Sequence, residues 1–150
     1  MNKQLIEKIG EGLKSNIGNT FSLDTDKVNS LVVTGQNGLT ECIKQFVMKN
    51  GSKEIEEILL KQKTFEGSGF QTVVKNQLKN DFVSKGLLVA EQSEEVADYA
   101  SSYLVDQIVT AYQSSSESKD LDGICNFLGI DKNLLKMINS PMGKMFGKFF

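Results

Sequence analysis

The sequence predicts an all-α fold, a compact array of about six to seven helices. Apolar residues recur at spacings of three and four along most of the chain, which is the period of an amphipathic helix. The chain contains one proline, which argues against a loop-rich β-sandwich. With 39% apolar and 24% charged residues the composition is globular, and 150 residues suffice for one sizeable core. We therefore expect a single domain over residues 1–150.

The helical pattern is clearest from Ser93 to Gln113. Ser93 precedes the apolar stripe as a predicted N-cap, and two glutamates follow in the first turn, where they face the positive end of the helix dipole. Around this helix we expect an N-terminal helix in 1–20, core helices in 24–113, and C-terminal helices with an apolar tail in 119–150. The stripe comprises Val96, Ala100, Tyr103, Leu104, Ile108, Ala111 and Tyr112.

The region from Val28 to Met48 allows two interpretations. The apolar run that begins at Leu31, followed by Asn37-Gly38, suits a strand entering a hairpin with a type I′ turn. Over a longer window, however, the spacing of three and four continues through the glycines without a change of phase. We favour one helix, in which Gly35 and Gly38 mark a kink or a close helix crossing.

Capping and turn residues divide the rest of the chain. Polar N-caps, glycines at helix ends and a helix-breaking proline predict where each helix begins and ends. The predicted boundaries lie at Asp24 or Thr25, Asn50-Gly51, Ser52, Glu66-Gly67-Ser68-Gly69, Lys85-Gly86, the polar loop 114–118, Gly129, Asp131 and Pro141.

The composition disfavours several function classes. The chain has no His and no Arg, so the usual near-neutral proton shuttle and the bidentate clamp for phosphate or carboxylate are both missing. Net charge is −2, which provides no basic field for a nucleic-acid backbone, and we expect no nucleic-acid partner.

The two cysteines and the N-terminus indicate a reducing compartment. Cys42 and Cys125 occupy apolar positions of predicted helices and are expected to be buried, reduced thiols. Residues 1–16 alternate charged and apolar residues and do not resemble a signal peptide, and no window has the length of a membrane span. We expect a cytoplasmic protein.

Candidate catalytic and metal-binding patterns have simpler explanations. The carboxylate pairs Glu56-Glu57 and Glu94 with Asp98 are expected to be solvated helix charges. Asp120, Asp122 and Gly123 resemble the start of a calcium loop, but apolar residues fill the later ligand positions, so an N-cap is the better interpretation. We predict no catalytic, cofactor-binding or metal-binding residue, and we expect a protein that is not an enzyme.

Residues 70–129, and more weakly 28–60, resemble the YidB-like bacterial family of unknown function, notably its Bacteroidetes-type branch. The similarity lies in a helix with paired glycines, a later long helix, a polar loop and the motif from Asp122 to Leu128. The chain differs at Leu104-Val105, where many members carry Leu-Pro, and in having fewer glycines. The resemblance implies a compact multihelical bacterial domain and assigns no functional residue.

The C-terminal tail is the predicted interaction surface. Its large apolar residues share helical spacing, while Lys144 and Lys148 take the other side. We favour packing of the tail on its own domain; the alternatives are docking on a second subunit and binding to an anionic membrane surface. The residues of this surface are Met142, Met145, Phe146, Phe149 and Phe150.

Charge along the second half of the chain is uneven. Residues 91–122 hold eight acids and one Lys, a net of −7, whereas residues 123–150 hold four Lys and one Asp, a net of +3. These segments are solvated faces in the interpretation that we favour; the alternative is an acidic surface for a basic partner or for a neighbouring molecule's tail. The expected function is a helical protein that acts through protein–protein contacts, including self-association. The alternative is a peripheral membrane or lipid-associating module that uses the tail, and an enzyme built from Ser, Tyr and carboxylates is the least favoured.

Overall fold

The structure, a computed structural model, describes residues 3–139 and contains seven helices and no strand within that range. The predicted all-α fold is therefore confirmed for the described part of the chain. The helices are α1 (Lys3–Phe21), α2 (Thr25–Asn50), α3 (Lys53–Leu59), α4 (Gly69–Ser84), α5 (Ala90–Ser114), α6 (Leu121–Leu128) and α7 (Lys132–Asn139).

Four long helices, α1, α2, α4 and α5, surround the core. Each contacts the next in the ring α1–α2–α4–α5, and α5 also contacts α1. Neighbours in the ring run in opposite directions: on α4 and α5, for example, Lys75 pairs with Asp98 while Lys79 pairs with Glu94. Of the short helices, α6 contacts both α3 and α7, while α3 also contacts α5 and α7 also contacts α2. One hydrophobic cluster extends through all of them, from Ile9 to Leu135.

Helix α2 is continuous from Thr25 to Asn50, so the helical interpretation of this region is confirmed. Leu31 and Val32 are both buried while Val33 is 54% exposed, a pattern that a helix produces and an alternating strand does not. Gly38 marks the predicted close crossing, because a Cβ there would lie 2.7 Å from a methyl carbon of Leu78 on α4.

Helix α5 begins at Ala90, four residues before its predicted start, and the prediction that Ser93 is the N-cap is wrong. The N-cap is Val89, which has extended backbone angles and makes no side-chain capping bond. The Ser93 N–H donates to the Val89 carbonyl, 2.8 Å away, as part of the helical ladder. Ser93 is fully buried because it falls three and four residues before Val96 and Ala97, on the face that packs inward. Its hydroxyl has no hydrogen-bond partner among the described residues.

The loop between α5 and α6 makes its polar contacts internally. Lys119 folds back over the end of α5, where its ammonium donates to the Tyr112 carbonyl at 2.7 Å and lies 4.5 Å from the centre of the Tyr112 ring. The Tyr112 hydroxyl donates to the Ser118 carbonyl at 2.8 Å. Gly123 packs directly beneath that carbonyl, and any Cβ at this position would overlap it. Asp120 caps α6 as predicted.

Candidate functional site

The predicted interaction surface lies outside the described residues. The structure describes none of its five residues, Met142, Met145, Phe146, Phe149 and Phe150. The role of the tail as an interaction surface therefore stays a prediction.

A cleft of about 730 Å³ lies between α5 and the segment that joins α3 to α4. This volume is within the range of small-molecule ligand sites. Its floor is apolar and its rim is polar and charged. The floor is formed by Ile58, Phe65, Tyr99, Tyr103, Val105 and Val109, and the rim by Lys61, Lys63, Thr64, Glu66, Asp98, Ser102 and Asp106.

The aromatic part of the floor is supported by α1. Tyr99 and Tyr103 are one helical turn apart on α5, and their rings stack with centroids 6.4 Å apart. Phe21 of α1 packs edge-on against Tyr99 at 5.7 Å. The Tyr103 hydroxyl lies directly against Gly12, where a Cβ would collide with it. The two rings are therefore held in place before any ligand arrives.

The segment from Lys61 to Glu66 forms the wall of the cleft opposite α5. Lys61, its first residue, has a left-handed backbone conformation with φ 60°. It occupies the C′ position of a Schellman motif: the Gln62 N–H donates to the Glu57 carbonyl at 2.8 Å, and the Lys61 N–H donates to the Ile58 carbonyl at 3.1 Å. Glycine usually fills this position because a Cβ is unfavourable there. A lysine with this backbone places a cation on the rim at some cost in strain.

Glu54 of α3 fixes the position of this wall through hydrogen bonds. Its carboxylate accepts from the Phe70 N–H at 2.6 Å, at the start of α4, and from the Lys63 ammonium at 3.0 Å. Partial burial opposes ionisation of Glu54, but the hydrogen bonds from Phe70 and Lys63 outweigh it and hold the pKa of the carboxyl below its ordinary value. The same carboxylate thus connects α3, the N-terminus of α4 and the rim.

Two further contacts attach the wall to α5. The Ser102 hydroxyl donates to Glu66 at 3.0 Å across the cleft rim. The Gln113 side chain donates to the Leu59 carbonyl, the last residue of α3, at 2.7 Å. Hydrogen bonds therefore join the two sides of the cleft to each other.

The rim carries charges of both signs. Asp98 pairs with Lys75 at 3.5 Å, and Lys63 pairs with Glu54. Lys61 and Asp106 line the cleft and enter no ion pair within residues 3–139. These two side chains are available for a ligand that carries charge.

In the structure, the carboxylates that the sequence singled out as candidate pairs have separate partners. Glu94 and Asp98 are exposed, as expected, and each pairs with a lysine of α4. Exposed pairs of this kind contribute about 0–1 kcal/mol. Of the predicted carboxylate pairs only Asp98 reaches the cleft rim, whereas Glu56 accepts from Ser52 at 2.6 Å.

Both cysteines are buried and free, which confirms the prediction for them. Burial raises the pKa of Cys42 to about 11, and the carboxylates of Asp81 and Glu41 add to the effect. Burial also raises the pKa of Cys125, again with nearby carboxylates contributing. Neither thiol lines the cleft.

Sequence reasoning missed the cleft, although part of its signal was present. Asp98, Ser102 and Asp106 recur every four residues beside the core stripe of α5, next to Tyr99 and Tyr103. A polar stripe with adjacent tyrosines beside the buried face of this helix could have been marked as a candidate surface. The opposite wall gave no comparable signal.

Comparisons with protein-family models, curated proteins and solved structures give no match to this chain. Among the helices of residues 3–139, none combines the length and apolar character needed to cross a bilayer. In the same range, no group of three or more Cys, Asp or Glu side chains is placed to hold a metal ion.

Proposed function

We propose that this protein is a non-enzymatic binding module whose cleft receives a segment of a protein. The observation that carries the proposal is the combination of a preformed tyrosine floor with two rim charges that have no partner in the described chain. Tyrosine provides large contact area at low conformational cost and is enriched at protein interfaces.

The charges define the chemistry of the partner. A segment that fills the cleft would place apolar or aromatic side chains on Tyr99 and Tyr103 and a lysine or arginine opposite Asp106. An acidic group would face Lys61. Rim charges of this kind select and orient a partner more than they add affinity.

The test is selection of short random peptides displayed against the full chain, followed by binding measurements on the enriched peptides. We expect enrichment of peptides that combine aromatic and basic residues. Asp106→Lys should weaken their binding about three- to tenfold, since an exposed ion pair becomes a like-charge contact. Glu41→Lys is the matched control, because Glu41 is an exposed acid on α2 that does not line the cleft. The proposal is wrong if no peptide is enriched, or if both variants weaken binding equally.

A second candidate is the membrane-associating module. It is supported by Leu134, which is 45% exposed on α7, directly before a tail that alternates large apolar residues with lysines. Anionic vesicles should then bind the full chain, and Phe146→Ser with Phe149→Ser should abolish that binding. Membership of the YidB-like bacterial family and a cytoplasmic location also remain proposals, supported by the sequence features described above.

A further inference from the structure

We infer that the cleft binds its protein segment in an extended conformation and selects three side chains in a fixed order. These are an aromatic residue, then an arginine, then an acid, at every second position of the segment. This preference rests on the proposed function, because it specifies the segment that occupies the same cleft.

The two walls of the cleft run in opposite directions. Near one end, the Ser102 hydroxyl of α5 donates to Glu66 at 3.0 Å. Near the other end, the Gln113 side chain of α5 donates to the Leu59 carbonyl at 2.7 Å. Lys61 follows Leu59 by two residues and precedes Glu66 by five, so it lies toward the Gln113 end. The two hydrogen-bonded ends are about 17 Å apart along the axis of α5.

The groups that can contact a ligand therefore follow one another along the cleft. Tyr99 and Tyr103 form the aromatic end of the floor. Asp106 comes next on α5, about one helical turn beyond Tyr103. Lys61 comes last and projects from the opposite wall. Aromatic surface, negative charge and positive charge thus succeed one another in that order.

The dimensions of the cleft favour an extended segment. Five residues of extended chain span about 17 Å, which is the distance between the two hydrogen-bonded ends. A helix of that length, about 10 Å in diameter, would fill about 1,300 Å³. The cleft holds about 730 Å³, so a helix does not fit within it.

The spacing of an extended segment matches the spacing of groups on α5. Alternate side chains of a strand point to the same side and lie about 7 Å apart. The midpoint between Tyr99 and Tyr103 is about 7.5 Å from Asp106 along the helix axis. An aromatic side chain on the two rings therefore places the next inward-facing side chain opposite Asp106. The third inward-facing side chain then lies toward Lys61.

Arginine is the basic residue that suits the middle position. Asp106 and Tyr103 are three residues apart and lie on one side of α5. A planar guanidinium can bond the carboxylate in a bidentate manner and lie on the tyrosine ring at the same time, whereas a lysine ammonium is a compact, strongly hydrated charge. At the third position an aspartate or glutamate complements Lys61, which is exposed and enters no ion pair within residues 3–139.

The test compares peptides that share one composition and differ in order. Capped peptides containing Phe-Ser-Arg-Ser-Glu or Phe-Ser-Glu-Ser-Arg, with Gly-Ser flanks, are titrated into the full chain and followed by NMR shifts of its amides. Both are also made in reverse, because the geometry fixes the order of the side chains and not the direction of the peptide. In the better-bound direction, we expect the first order to bind about five- to tenfold more tightly, since two ion pairs replace two like-charge contacts.

Exchanging the two rim charges should reverse this preference. The double variant Asp106→Lys with Lys61→Glu should bind Phe-Ser-Glu-Ser-Arg more tightly than Phe-Ser-Arg-Ser-Glu. Damage to the fold would weaken both peptides and would not invert their order. Glu41→Lys with Lys44→Glu is the matched control, since it exchanges two exposed charges on α2 that do not line the cleft. This control should retain the wild-type preference.

The possible failures of the inferred order and of the proposed function are distinguishable. If displayed peptides bind but the two designed orders bind equally, the order is refuted and the proposed function stands. The order is also refuted if the wild-type preference persists after Asp106 and Lys61 are exchanged, because other groups would then select the peptide. If neither designed nor displayed peptides bind, the proposed function is refuted and the order with it.

Discussion

Replacing Lys61 by glycine should stabilise the protein, although it removes a side chain from the cleft. Lys61 has φ 60° at the C′ position of α3, and Gly86, with φ 69°, has the same role after α4. The two helix ends share one hydrogen-bond pattern and differ in the residue that adopts the left-handed conformation.

Three effects determine the size of the change. A non-glycine residue in this conformation costs about 1–2 kcal/mol. Glycine offsets about 0.5–1 kcal/mol of this gain, because it increases the conformational entropy of the unfolded chain. Loss of a cation near the C-terminus of α3 costs a few tenths of a kcal/mol for an exposed side chain. Lys61→Gly should therefore raise the free energy of unfolding by about 0.5 kcal/mol and the Tm by about 1–2 °C.

Urea and thermal unfolding followed by circular dichroism would measure this change. Lys61→Ala retains the strain and loses the cation, so it should be neutral or slightly destabilising. Gly86→Lys should lower stability by about 1 kcal/mol, because a lysine would have to adopt the left-handed backbone conformation. No atom lies within 4 Å of a Cβ at this position, so no steric clash adds to that cost. If Lys61→Gly is as unstable as Lys61→Ala while Gly86→Lys behaves as expected, the left-handed backbone at Lys61 carries no cost and our reasoning about this turn is wrong.

Three further predictions concern other parts of the fold. Gly123→Ala should destabilise by at least about 2 kcal/mol, because its Cβ overlaps a backbone carbonyl, whereas Gly18→Ala, which meets only an ordinary contact at 3.8 Å, should stabilise by about 0.5–1 kcal/mol in the same unfolding assay. Glu54→Gln should cost about 1–2 kcal/mol at neutral pH. Since the folded-state pKa of Glu54 is lowered, its contribution is present above the ordinary glutamate range and is lost as pH falls through the lowered value, so wild type and variant should converge in urea titrations at pH values below the ordinary glutamate range. A difference that persists there would contradict this account. Native Cys42 and Cys125 should react with a thiol reagent far more slowly than in denaturant, and equal rates in the two conditions would contradict their burial.

Local signals in the sequence were sufficient to predict most helix boundaries. Asp24, Ser68 and Asp120 cap their helices through side-chain bonds, and Gly129 ends α6 with φ 73°. The long stripe of α2 predicted one helix through Gly35 and Gly38 because the hydrophobic period was kept across both. These features depend on neighbours within a few residues, which the sequence displays directly.

The cleft depends on contacts that no short window contains. Glu66 and Ser102 meet across 36 positions of sequence, and Gln113 reaches the carbonyl of Leu59 across 54. The hydrophobic period places Tyr103 on the core stripe, yet Tyr103 is partly exposed and lies between α1 and the cleft floor. Ser93 was misassigned for a related reason, since tertiary packing buried a residue whose local chemistry favours a cap.

The way the cleft wall is attached has a consequence for hydrogen exchange. The wall from Lys61 to Glu66 is joined to the rest of the fold by main-chain hydrogen bonds at its two ends, by the carboxylates of Glu54 and Glu66, and by one aromatic contact from Phe65 to Phe70. The facing wall, α5, belongs to the buried core. Segments with few apolar contacts open at lower free energy than the core around them. Amides of the wall should therefore exchange through local openings that leave α5 protected, so the cleft can widen for ligands of different girth while the four long helices stay folded.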